Sequence, residues 1–367
     1  MELLDYLKYA AGKINADGSE IPEEEAGKRK HASDMFIVAG RPVCFKMDKK
    51  IEELGERMLP ADTEVLIRNI YELSGRSIDR FLSTGDDDFS FAVAGVARFR
   101  VNTYMQRNSM AAVIRVIAFT IPDWQSMHIT EEIMGLAEVS NGFIIISGSA
   151  GSGKSTTQAC LIDRINRTRA CHIITLEDPI EYLHRHNKSI VSQREVSIDT
   201  ADYQSALRAC LRQAPDVILL GEMRDYETIR TAMTAAETGH LVIGTLHTRG
   251  AVSTIARIID TFPSEQQGQI RVQLSSVLHS IVSQQLLPGT DGDLVAAFEV
   301  MHVNGAIRSM IRDNKDHQIE NAIASGSSEG MNTMDQAILA LCRSGKITRE
   351  TALGFADNQD QMSRKLG

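Results

Sequence analysis

The chain has 367 residues, 43% of them hydrophobic and 24% charged, with a formal net charge of -9. That length exceeds one average domain and that hydrophobic content excludes a disordered chain, so two folded domains are expected. A negative net charge supplies no general field for phosphate backbones, so nucleic acid is not expected as a partner.

The first residues, MELLDYLKYAAGKINADGSE, lack the basic and apolar regions of a secretory signal. No apolar run approaches the roughly 20 residues that cross a bilayer. A cytoplasmic protein is therefore expected, able to associate peripherally with the inner face of the membrane. After a short first helix, residues 16–31 (ADGSEIPEEEAGKRKH) form a charged, breaker-rich stretch that reads as a loop. Met35 to Ala39 and Phe89 to Val101 are strand-like, the second alternating apolar and polar residues around Gly95. Asp62 to Leu73 is helical in pattern. Residues 1–120 thus read as a small α+β domain. A proline and the only tryptophan break the periodicity just after it, and a linker is placed at 121–128.

From Gly142 the pattern changes to short apolar strands, each followed by a helix: Phe143 to Ser147, Ile173 to Leu176, Val217 to Leu220 and Leu241 to Leu246. Strands this apolar, alternating with helices, imply an α/β domain with a parallel sheet covered on both faces. Beyond Thr254 the pattern is mainly helical, with a hairpin expected between Leu286 and Val303 around GTDGD. Residues 129–367 are read as this second domain. The five cysteines (Cys44, Cys160, Cys171, Cys210, Cys342) form no CxxC pair and are expected to be reduced.

Gly148, Ser149, Ala150, Gly151, Ser152, Gly153, Lys154 and Ser155 match GxxxxGK[ST]. They follow the strand FIIIS and precede a helix opening with Lys154, Ser155 and Thr156, the context that a phosphate-binding loop requires. Glycines let the backbone N–H groups curl toward a phosphate, and the helix N-terminus adds its partial positive charge. Lys154 is expected to reach the β- and γ-phosphates and Ser155 to ligate magnesium. These residues with Thr156 are the candidate nucleotide-binding set, with ATP and Mg2+ as cofactors.

Hydrolysis also needs a group to orient or deprotonate water and others to neutralise phosphoryl charge. Val217 to Leu220 leads to Gly221 and Glu222, which places Glu222 at a strand's carboxyl end, where α/β sheets bind ligands. Ile173 to Leu176 leads in the same way to Glu177, Asp178 and Glu181. That cluster reads either as a holder of magnesium or its waters, or as a solvated acidic loop. Leu241 to Leu246 delivers His247 between two threonines, either as a sensor of the γ-phosphate or as a structural histidine.

Together the phosphate loop, LEDPIEY (176–182), LRQAPDVILLGEMRD (211–225), AAETGHLVIGTLHT (235–248) and IARIIDTFP (255–263) resemble the secretion ATPases of the type II and type IV pilus superfamily. The resemblance implies a homohexameric ring of RecA-like P-loop ATPase domains, each preceded by a PAS-like α+β domain, with a helical C-terminal part. It implies that Glu222 is the catalytic carboxylate, that Glu177 belongs to the Asp box and that His247 is the His-box residue. Within the superfamily the chain is most similar to the retraction ATPases of the PilT type, which drive twitching motility. GVARFRVN (95–102) and AAVIRVI (111–117) resemble that family's arginine segment, which implies that Arg98, Arg100 and Arg115 face nucleotide, some from a neighbouring subunit; alternation alone also allows the wet face of an edge strand. AIRSMIRD (306–313) resembles the family's AIRNLIRE retraction signature, with Ser309, Met310 and Asp313 as departures. Met35 and Phe36 depart from the family's ASDLHL, and Ala214 stands where an acidic residue is common. The implied partners are a pilus platform membrane protein and the pilus base machinery. Pilus extension, type II secretion and a nucleotide-gated helper without turnover are the competing readings.

Overall fold

The computed structural model describes residues 2–22, 32–47, 50–117 and 121–367. The expected loop at 16–31 therefore lies, from residue 23 onward, outside the described residues. The chain divides into two compact units, Met1–Thr120 and Ile121–Gly367.

The first unit is built on an antiparallel sheet of six strands: β1 (Asp34–Ile37), β2 (Val43–Met47), β3 (Lys50–Leu54), β4 (Asp86–Val93), β5 (Ala97–Gln106) and β6 (Ser109–Ile117), in the order β3-β2-β1-β6-β5-β4. The strand-like stretch around Gly95 is a hairpin: β4 and β5 pair antiparallel on either side of Gly95, whose φ of +75 favours glycine. Along β5 the pleat buries Ala97, Phe99, Val101 and Thr103 and turns Arg98 and Arg100 toward the other face. Arg100 stands directly opposite Arg115 of β6. Two cations so placed repel. Asp34 of β1, also opposite Arg115, relieves this, its Oδ1 accepting from Arg115 Nε at 3.0 Å. The helix Pro60–Ser74 lends Ile67, Ile70 and Tyr71 to the core under the sheet.

The second unit holds a sheet of seven strands: β7 (Gly142–Ser147), β8 (His172–Glu177), β9 (Ile190–Glu195), β10 (Val217–Leu220), β11 (Leu241–Leu246), β12 (Leu278–Pro288) and β13 (Leu294–His302). Their order is β13-β12-β7-β11-β10-β8-β9, parallel throughout except for the β12–β13 hairpin. On β7, Phe143 and Ile145 join one hydrophobic cluster while Ile144 and Ile146 join another, so both faces are covered. This is why the strand reads as an unbroken apolar run.

Two elements of this sheet depart from the sequence reading. β9 (IVSQRE) carries apolar residues only at its start, as an edge strand can. β12 extends back to Leu278 within the stretch read as helical, because its buried Ser280, Ser283 and Gln284 interrupt the apolar pattern. The last helices, Met334–Arg343, Arg349–Phe355 and Gln359–Leu366, share a separate core with Leu287, Val295 and Ala297. All five cysteines are free, and among the described residues no helix is long and apolar enough to cross a membrane.

Candidate nucleotide site

β7 ends at Ser147, and the chain turns through Gly148 to Gly153 into the helix Lys154–Thr168. Gly148, Gly151 and Gly153 adopt φ values of +149, +75 and +87, closed to most L-residues. A Cβ at Gly148 would overlap the backbone oxygen of Gln284, and one at Gly153 would lie 2.9 Å from the Gln284 amide nitrogen. Gln284, on β12 and 3% exposed, thus buttresses the loop from below, and its Oε1 accepts from Thr157 Oγ1 at 2.8 Å. Lys154, 8% exposed, turns back on its own loop: Nζ donates to Gly148 O at 2.9 Å and Ser149 O at 2.8 Å. Burial pulls its pKa down, while Glu222 and Glu181 oppose that shift.

Parallel register brings the carboxyl ends of β8, β10 and β11 alongside this loop, since Leu220 pairs with both Leu176 and Gly244. Glu222 follows β10, and its Oε1 accepts from Arg224 Nε at 2.7 Å and from His247 Nε2 at 3.0 Å. The bonded Arg224 guanidinium is the main cause holding the Glu222 carboxyl below its ordinary range, and His247 adds to it. With Nε2 donating, His247 presents Nδ1 as an acceptor, 3.5 Å from Lys154 Nζ. Arg224, Glu222, His247 and Lys154 therefore form one continuous polar chain.

At the end of β8, Glu177 Oε1 accepts from Thr175 Oγ1 at 2.6 Å and Gln193 Nε2 at 3.2 Å. Part of the Glu177 surface faces the cleft, yet burial pushes its carboxyl up to about 7, against the pull of those two hydrogen bonds. An acid whose pKa rises on folding holds its proton more tightly when folded. Its contribution favours the fold at low pH and is lost as pH rises through the window from 4.5 to about 7. Glu177→Gln keeps an oxygen for Thr175 and Gln193 and removes the charge. In nucleotide-free, metal-free protein it is expected to exceed wild-type stability by up to about 3 kcal/mol near pH 8 and to converge with it near pH 4. Thermal melts across that range check this, and a pH-independent difference would count against it.

The cleft these groups enclose holds about 240 Å³. Ala150, Gly151, Lys154, Ser155, Glu177, Glu181, Glu222 and His247 are among the residues that line it. Gly148, Ser149, Ser152, Gly153 and Thr156 do not line it. They shape the loop instead: Thr156 shares a hydrogen bond of 2.9 Å with the Tyr182 hydroxyl. Arg98, Arg100 and Arg115 stand on β5 and β6 of the other unit. Three supports were not singled out from sequence: Arg224, two residues after Glu222, and Gln193 and Gln284, polar residues within strands.

Among the described residues no group of three or more His, Cys, Asp or Glu could by itself hold a metal ion. The oxygens of Ser155 and Glu177 in one cleft fit magnesium instead, which takes one or two protein oxygens and completes its shell with water and phosphate.

The profile of the type II/IV secretion system protein family matches residues 24–326. The chain is 43% identical over 325 residues to the type IV pilus retraction ATPase PilT of Pseudomonas aeruginosa, spanning 88% of this chain and 93% of that one. It is 46% identical over 277 residues to a twitching motility protein of Neisseria gonorrhoeae, 75% of this chain and 74% of that one. The crystal structure of the pilus retraction motor PilT with bound ADP matches with a TM-score of 0.84 at 44% identity, covering 94% of this chain and all of that one.

Proposed function

The chain belongs to the type II/IV secretion system protein family, and we propose that within it the protein is the ATP-hydrolysing motor of type IV pilus retraction. The observation that carries the chemistry is the convergence of Lys154, Ser155, Glu177, Glu222 and His247 on one cleft at the strand ends.

In this mechanism ATP seats its β- and γ-phosphates against the N-terminus of the helix Lys154–Thr168, and Lys154 exchanges its loop carbonyls for phosphate oxygens. Glu222, kept ionised by Arg224, orients the attacking water and takes its proton. His247, bonded to Glu222, meets the γ-phosphate side of the cleft and reports its loss. When bound, magnesium would be held by Ser155 with Glu177 beside it in the cleft, and would supply charge neutralisation on the phosphates. Arg98, Arg100 and Arg115 complete the site in the assembled ring, some of them from the neighbouring subunit. Arginines so used contribute about 10³- to 10⁵-fold in rate, so the catalytic unit is the subunit interface.

The architecture that goes with this reading is a PAS-like domain over 1–120, a linker at 121–128 and a RecA-like domain with C-terminal helices over 129–367. Six copies form the ring, located in the cytoplasm at the inner face of the membrane beside the pilus platform protein and base machinery. The antiparallel first sheet and the parallel second one support that division.

Two measurements test the function. The purified oligomer is expected to release phosphate from ATP; a rate no higher than that of a Lys154→Ala variant would remove the enzymatic reading. Deleting the gene should leave cells piliated but unable to move on surfaces, whereas loss of pili would overturn retraction in favour of extension.

A further inference from the structure

Glu299 lies on β13 and outside the cleft, 7% exposed. Its Oε1 accepts from Ala251 N at 2.7 Å and its Oε2 from Met334 N at 3.3 Å. Those two N–H groups open two different helices, Ala251–Asp260 and Met334–Arg343. Neither has an acceptor within its own helix, and both carry the partial positive charge of a helix N-terminus. A buried carboxylate persists only where donors satisfy it, and here the donors are the backbones of two separate elements.

The first of these helices follows His247 after three intervening residues. That short connection is tied at one further point. Gly250 N donates to the buried Ser283 Oγ at 2.9 Å. The second helix packs with Leu287, Val295 and Ala297 and with the C-terminal residues Ala352, Ala356 and Met362. Glu299 is thus a clasp between the segment that carries His247 and the C-terminal helices.

We propose that Glu299 is a positioning residue that couples the nucleotide-dependent setting of His247 to the C-terminal helices. It touches no nucleotide. A rigid, planar carboxylate bonded at both oxygens passes a displacement of Ala251 on to Met334, because neither N–H can shift without losing its acceptor. The coupling deepens the ATPase reading and rests on the nucleotide occupying the cleft beside His247.

Amide hydrogen exchange of the full-length protein, with and without ADP, tests it. In the wild type, ADP is expected to slow exchange in peptides spanning 248–256 and also in those spanning 331–343. In Glu299→Gln one oxygen becomes a donor, so one of the two N–H groups loses its acceptor. ADP should then bind within about twofold of wild type, and its effect on 331–343 should disappear. ATP turnover should fall about tenfold at unchanged KM, the worth of one hydrogen bond to a charged group. Ser283→Ala releases Gly250 without changing any charge, and should weaken the same response even if Glu299→Gln fails to fold. A wild-type helix indifferent to ADP, or a Glu299→Gln protein that keeps the full response, would overturn the proposal. Exchange reads ADP binding and not hydrolysis, so a chain that binds ADP without turning over ATP defeats the enzymatic reading separately.

Discussion

Glu222→Gln is expected to lower ATP turnover by about 10² to 10⁴-fold, the range of a positioned general base, while nucleotide binding stays within a few-fold of wild type. The amide keeps an oxygen where Glu222 Oε1 accepts from Arg224 at 2.7 Å and His247 at 3.0 Å, so the polar chain retains its geometry. What it loses is the charge and the capacity to take a proton from water. Binding should survive because the proposed phosphate contacts are made by the loop at 148–155, which the substitution does not touch. Single-turnover phosphate release beside equilibrium binding of a fluorescent nucleotide separates the two effects. A variant keeping more than about a tenth of wild-type turnover would remove Glu222 from the role of base.

Gly148→Ala should abolish the site at its foundation, weakening nucleotide binding by about 10²-fold or more, equivalent to about 3 kcal/mol. At φ +149 the new Cβ would overlap the Gln284 carbonyl oxygen and lie 2.6 Å from Ser152 Oγ. The loop must then leave β12, and its N–H groups lose their common focus. Since the obstacle is backbone, shortening the Gln284 side chain gives no relief. Gly151→Ala is the contrast: φ is +75 there, but nothing lies within 4 Å of the added carbon. It costs about 1 kcal/mol of backbone strain and should weaken binding far less. Equal effects for the two glycines would refute the steric argument.

The parts of the site that were legible in sequence are those whose chemistry is local. GSAGSGKS needs only its own glycines, a preceding strand and a following helix, and the strands at 217–220 and 241–246 are read from their apolar runs with the observed limits. Glu222 and His247 follow because they lie within two residues of the ends of those runs. Their mutual bond depends on strand order, which places β10 beside β11, and no spacing in the chain encodes that. Gln284 is legible even less: a polar residue inside a strand looks solvent-facing until its neighbours are known. β9 escaped notice because its apolar residues sit at one end, and the first half of β12 because buried serines break its pattern. The raised pKa of Glu177 likewise reflects burial in the folded chain, against the pull of its hydrogen bonds from Thr175 and Gln193. The assignments to Asp box and His box came from family resemblance, not from spacing.

Lys154 at rest, bonded to the carbonyls of Gly148 and Ser149, makes the loop a rival for its own ammonium. Any entering phosphate must win that ammonium from acceptors tethered within the same turn, at an effective concentration that dissolved ligands do not match. The rivalry is uneven over a cycle. If the site turns over as proposed, a triphosphate with its full charge would prevail and a diphosphate would hold the ammonium less strongly, so that the carbonyls would reclaim it as the product loosens. On the proposed function, product release would be assisted by an intramolecular competitor that never diffuses away, and the loop would return with its lysine already hydrogen-bonded for the next exchange.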